Sequence, residues 1–181
     1  MWLLRQCMDA WASQGHPWTI PDLIAAAEKI PAPQALLDVD DPDLLLAGNM
    51  PQRINAQLLR NNLAPLDTRS ETAPIFASLI FHSLAAQYAK VLARVALHSG
   101  KKLKRLFIVG GASQNQLLNR LTQRATGLEL HRGSPESSTS GNFAVQLAAL
   151  ESPNTAAGPS AHDIAHWARL FVAALSQPPT H

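Results

Sequence analysis

Residues Arg105–Gly127, RLFIVGGASQNQLLNRLTQRATG, constrain the fold of this chain more than any other stretch. LFIV is a short continuous apolar run, the form of a strand covered on both faces. It ends on Gly110 and Gly111, passes Ser113, and from Gln114 becomes a helix that places Leu117, Leu118, Leu121 and Ala125 on one side before Gly127 stops it. Two readings of the glycine pair stand side by side. Without a Cβ they let a ligand lie on the backbone, and the helix start that follows offers amide donors and the positive end of a dipole, a combination that suits a nucleotide. The plainer alternative is that they only turn the chain sharply between strand and helix. The spacing is neither G-x-G-x-x-G nor G-x-x-x-x-G-K-[ST], which disfavours a Rossmann dinucleotide fold and a P-loop.

The remaining elements are mostly helical. Trp2, Leu3, Cys7, Met8 and Trp11 recur at helical spacing, so the chain begins inside an amphipathic helix with no capping residue before it. Thr19, Pro21 and Asp22 open a second helix, which runs through DLIAAAEKI until Pro31 and Pro33 forbid continuation. ALLDVDDPDLLLAGNMP reads as irregular, with turns at Asp41-Pro42 and Gly48-Asn49, and MPQRINAQLLRNN as a short helix. The longest helix is expected from Glu71 to Ser99, with Ile75, Leu79, Ile80, Leu84, Tyr88, Val91, Leu92 and Val95 as its apolar stripe and Gly100 as its stop. Lys101, Lys102 and Lys104 form a solvated approach to the strand. LELHRG is a second short strand, Ser137 to Leu150 a helix started by hydroxyl caps, and Ser160 to Leu175 the last helix. Helix, strand, helix, strand, helix in this order is the pattern of an α/β layer fold, helix-rich with a few strands.

With 181 residues the chain is long enough for one domain, since about 150 residues bury roughly 70% of the unfolded surface. Residues 1–175 are expected to form it, with 176–181 a flexible tail. The net charge of +2 makes nucleic acid an unnatural partner, although residues 1–70 carry five Lys or Arg against eight Asp or Glu and the remainder ten against five. The half with the glycine pair is thus the half that could attract phosphate. A single cysteine, Cys7, excludes an internal disulfide or a thiolate zinc site and fits a reducing compartment. No continuous apolar run approaches about 20 residues, and Arg5 and Asp9 interrupt the opening segment where a signal peptide is apolar. The expectation is a cytoplasmic protein with no membrane partner.

Other candidate sites are weaker. His162 and His166 stand four apart on a helix but lack the glutamate and third ligand of a zinc site. Asp38, Asp40, Asp41 and Asp43 begin like a calcium loop, yet Asp43 stands at the glycine position and Asn49 at the glutamate position, so they read as a solvated turn. Cys7 reads as a small buried hydrophobe, and the serines from Ser134 to Ser140 lack a G-x-S-x-G elbow.

RLFIVGGASQNQLLNRLTQRATG followed by HRGSPESSTSGNFAVQLAALE resembles the C-terminal part of the FGGY carbohydrate kinases, most closely the rhamnulokinase branch. There a strand, a glycine-rich adenosine motif, a helix and a G-P-x-E-A-[ST]-x-G-N helix start occur in this order. WLLRQCMDAW is similar to that group's W-L-L-Q helix, LLDVDDPDLLLAGNMPQRI to its D-V-D-D-P-x-F-x-x-P-G-x-M-P-x-R-I segment, and SLIFHSLAAQYAKVL to its long helix. The resemblance covers Trp2 to about Glu151. It implies part of an actin-like, ribonuclease H-like ATPase fold, the C-terminal lobe of a kinase that closes on Mg-ATP and a sugar such as L-rhamnulose or a related ketose. It places Gly111 at the ATP site with Gly110 supporting the same turn. Asn115 either meets adenine or ribose or caps its helix, and Arg5 stands where the W-L-L-Q glutamine lines that site. Glu136 and Asn142 match the later motif and hold its loop.

The departures are Ala112 for the third glycine, Arg5 for the glutamine, Ser134, Pro135, Glu136 and Ser137 for P-x-E-A, and His82 where the long helix usually has an acid. The sugar pocket and the catalytic aspartate belong, by the resemblance, to sequence preceding the W-L-L-Q helix. Phosphoryl transfer works by positioning and electrostatic stabilisation, so the expectation is that this chain alone has no catalytic residue and does not phosphorylate a sugar. The uncapped first helix fits a cut from a longer protein. The alternative is a non-catalytic binding or interaction domain, or a gene remnant, whose exposed lobe face pairs with itself or another chain.

Overall fold

In the computed structural model, which describes residues 1–151 and 158–175, several helices begin at a side chain that satisfies one of their open first amides. Helix α1 (Trp2–Ala12) lacks a side-chain cap. Helix α2 (Ile20–Ala27) is capped by Thr19 and α3 (Met50–Arg60) by Asn49, each side chain accepting from the amide three residues on. Helix α4 (Ala73–Ser99) follows a 3-10 turn over Ser70–Thr72 and ends at Gly100 in the left-handed conformation. Strand β1 (Arg105–Ile108), a 3-10 turn (Gly111–Gln114), helix α5 (Gln116–Thr126), strand β2 (Glu129–Arg132), helix α6 (Ser137–Glu151) and helix α7 (Ala161–Leu175) complete the order. The Glu129 amide bonds to the Lys104 carbonyl and the Gly133 amide to the Ile108 carbonyl. Both strands advance four residues between these bonds, so they run parallel, joined through α5. Residues 176–181, expected to be a flexible tail, lie outside the described residues.

The chain divides into two compact units, Met1–Leu106 with Asn115–Glu129, and Phe107–Gln114 with Leu130 onward. The first unit holds the large core. Trp11, Leu4, Cys7, Leu23, Met50, Ile54, Phe76, Ile80 and Phe81 are at most 1% exposed, and α1, α2 and α5 all pack on α4. Each such side chain contributes about 1.5–3 kcal/mol by leaving water. Trp11 meets Phe76 edge to face, ring centres 5.8 Å apart, and donates its indole N–H to the Thr68 carbonyl at 3.2 Å. Burial pushes the Cys7 thiol well above its ordinary value, as befits a packed hydrophobe.

Buried polar groups fasten the irregular segment to this core. The Leu37 amide donates to Ser83 Oγ at 2.9 Å, and Ser83 Oγ donates to the Leu79 carbonyl at 2.7 Å. Gln57, buried on α3, accepts from the Asp38 amide at 2.9 Å and donates to the Asp38 carbonyl at 2.9 Å and to Asp41 Oδ2 at 2.7 Å. Arg60 pairs with Asp41 and, at 2.9 Å, with Asp43. The aspartates of the would-be calcium loop are therefore working parts of a clamped turn. In the second unit α6 packs along α7. Phe143, Trp167 and Phe171 close this hairpin, and Trp167 donates to Glu151 at 2.9 Å.

Four sequence expectations need correction. The stripe assigned to α4 is buried only in part: Leu79 and Ile80 lie in the core, whereas Ile75, Tyr88, Val91 and Val95 are 36–47% exposed. The first half of α4 is surrounded by α1, α2 and α5, so Phe76, Ala77 and Phe81 bury off the stripe, while the second half runs clear of the core. Strand β1 is not covered on both faces: exposure alternates along it, and Phe107 stands 63% exposed and Val109, just beyond it, 49%. Phe107 stacks on His131 of β2, ring centres 5.0 Å apart, and still stands mostly in solvent; the apolar run alone does not reveal what lies over a strand. Helix α5 starts at Gln116 instead of Gln114, after the 3-10 turn, and Ala125 on it is exposed. Helix α2 ends at Ala27, before either proline acts. The segment Ser70–Ser99 is also long and apolar enough to cross a membrane by length and composition, although broken by Lys90 and Arg94. Its buried first half serves the core of the first unit.

Two outcomes follow from this packing. Phe76→Ala removes a fully buried ring and should cost about 3–5 kcal/mol in urea denaturation, whereas Val91→Ala should change stability by less than about 0.5 kcal/mol. A reversed order would restore the periodic stripe as the buried face. The Gln57 amide, the Asp43 backbone amide and Arg60 hold the Asp41 carboxyl below the usual carboxylate range. A depressed folded pKa stabilises above the unfolded value of about 3.9 and is lost as pH falls through the folded one. Asp67 and Asp163 shift the same way, so Asp41→Asn should flatten, without abolishing, the loss of urea midpoint between about pH 5 and 2.

Candidate nucleotide-binding site

In the second unit the strand end and the turn after β2 are laced together. The Gly110 amide donates to the Ser134 carbonyl at 3.2 Å, and the Gly133 amide to the Ile108 carbonyl at 2.9 Å. The Ser113 amide and Oγ both donate back to the Gly110 carbonyl, at 3.0 and 2.7 Å, closing the 3-10 turn. The two glycines differ in kind. Gly110 has φ +72°, a conformation that side chains rarely adopt, so its glycine is explained by the turn. Gly111 lies outside the left-handed region, and a Cβ there would meet nothing within 4 Å. Among the described residues, neither backbone strain nor packing calls for a glycine at 111.

The other assigned residues sit on the first unit. Asn115 is 3% exposed; its Oδ1 accepts from the Leu118 amide at 3.0 Å, capping α5, and its Nδ2 lies 3.8 Å from the Met1 sulfur. The free amides expected just after the glycines are thus displaced by one 3-10 turn, and one of them is already capped. Arg5 is exposed and pairs with Asp9 at 3.3 Å. In the second unit the Glu136 amide donates to Ser134 Oγ at 3.1 Å and its carbonyl accepts from the Ser140 amide at 2.9 Å, so its backbone belongs to the start of α6, while Asn142 is exposed one turn later.

His162 and His166 are both exposed on α7, and His162 lies 3.7 Å from Asp163. His82 Nδ1 lies 2.9 Å from the Ser78 carbonyl of its own helix. Sequence reasoning passed over Gly133. Its one legible signal is a glycine directly after a strand, and the reason for it, a close approach to Val109, exists only once the strands are paired.

Comparison with known proteins now adds to this geometry. The model of the FGGY family of carbohydrate kinases, C-terminal domain, matches residues 1–150. A rhamnulokinase from Enterobacter sp. (strain 638) is 34% identical over 151 residues, which is 83% of this chain and 29% of that protein. The chain therefore spans under a third of the length of that relative, and α7 lies beyond the family match. From the strand, the glycine corner and the long helix in their family order, and from a match over most of its length, the chain belongs to the FGGY family of carbohydrate kinases, as its C-terminal domain.

Proposed function

We propose that this chain is the ATP-binding lobe, actin-like in fold, of a rhamnulokinase-type sugar kinase, in which the nucleotide lies against Gly111. The observation that carries the reading is the contrast at the corner: Gly110 is explained by its φ, whereas a side chain at Gly111 would meet open space among the described residues and no strain. A phosphate or ribose approaching the backbone is the use that such a position suits. Family membership supports the choice of ATP, and the rhamnulokinase relative supports a ketose acceptor. The same resemblance assigns Asn115 and Arg5 to the site; their side chains already serve α5 and Asp9, so the discriminating position is Gly111. Among the described residues no group of three His, Cys, Asp or Glu side chains is placed to hold a metal, so Mg2+ would arrive on the nucleotide phosphates. The sugar pocket and the base are assigned to sequence preceding α1. By itself the chain would bind nucleotide without transferring phosphate.

A second reading, an interaction module, is favoured by the exposed Tyr88, Val91 and Val95, which fall on one face of α4. The two are separable by calorimetric titration with Mg-ATP. Binding that weakens about tenfold in Gly111→Ala, a loss of about 1.4 kcal/mol, and further in Gly111→Val is expected of the first. Absence of binding at millimolar nucleotide would leave only the second. With Mg-ATP and L-rhamnulose together, no sugar-dependent ADP release is expected; release at kinase rates would overturn the division of labour.

A further inference from the structure

We propose that Gly133 is a positioning residue for the glycine corner, acting through Val109. A Cβ built at Gly133 would lie 2.8 Å from Val109 Cγ1, closer than real contacts come, but only 3.5 Å from Ser137 Oγ and 3.8 Å from the Ile108 carbonyl, both ordinary contacts. The φ of Gly133 is outside the left-handed region, so the backbone itself accepts a side chain. One group, the Val109 side chain, stands where that side chain would go.

Val109 is the residue immediately before the corner. With Gly133 bare, its isopropyl group lies across residue 133, and the peptide that follows points its N–H from Gly110 to the Ser134 carbonyl. That carbonyl is itself fixed, because it also accepts from the Ser137 amide at 3.2 Å and from Ser137 Oγ at 2.7 Å. The turn after β2 is thus a stop against which the end of β1 is seated. A methyl at 133 would drive Val109 outward. Because Val109 is half-exposed, it would yield toward solvent, turning the 109–110 peptide and shifting Gly111, instead of unfolding the unit.

The consequence for nucleotide rests on the proposed function; the positional claim does not. The test uses the full 15N-labelled chain as Gly133→Ala and as Gly133→Ala with Val109→Ala, which removes the one contact under 3.0 Å among the described residues. Gly133→Ala should displace the Gly110 and Gly111 amide resonances and weaken Mg-ATP binding about tenfold, and the double substitution should return both toward wild type. Resonances that stay in place, or move alike in both variants, overturn the positioning role even if ATP binds. Resonances that move and return while wild type binds no Mg-ATP uphold it and sink the nucleotide reading instead. Should Gly133→Ala be insoluble, a soluble double variant supports the Val109 contact as the cause, and an insoluble one refutes it.

Discussion

The first unit is arranged around the first half of α4, whose side chains from Ala73 to Ala85 are withdrawn from water on almost every side. Alpha-helices usually bury a stripe; this half-helix is buried nearly all round because α1, α2 and α5 approach it from different directions. Trp11 and Phe76 fill the space between α1 and α4, and Ser83 reaches from α4 to the Leu37 amide, so the irregular segment from residue 34 to 49 is held although it has little regular structure of its own. Gln57 completes that restraint by satisfying both the amide and the carbonyl of Asp38, a pairing that a side-chain amide can supply at once.

The second unit works on a smaller scale. Its corner is defined by backbone groups, with the Gly110 amide, the Ser134 carbonyl and the Gly133 α-carbon as its parts. Such a site carries little charge of its own. Under the proposed function, selectivity for a nucleotide would come from shape and from amide donors. Neither Ala112 nor Arg5 supports with its side chain the bonds that shape the corner.

Much of the fold was legible in residue order. Capping by Thr19 and Asn49, the stops at Gly100 and Gly127, and both short strands depend on interactions within a few residues, and the chain states these locally. The family was legible for the same reason, because its motifs are short and their order survives in one dimension.

What residue order left undecided depends on neighbours distant in sequence. The buried face of α4 was read only in part because three helices surround its first half, while Tyr88, Val91 and Val95 beyond it stay 36–47% exposed. The strand LFIV was read as covered because apolarity records a tendency to be buried, without recording which partner is there to do it. Between Gly110 and Gly111 the sequence showed two like residues; only the folded chain gave one a turn to make and the other open space. The sequence by itself determined which elements occur, in what order, and to which family they belong, since those rest on local hydrogen bonds and spacing, while some ends moved by up to a turn. Tertiary structure decided which faces are buried and which glycine is free, because both are properties of the distances between segments far apart in the chain.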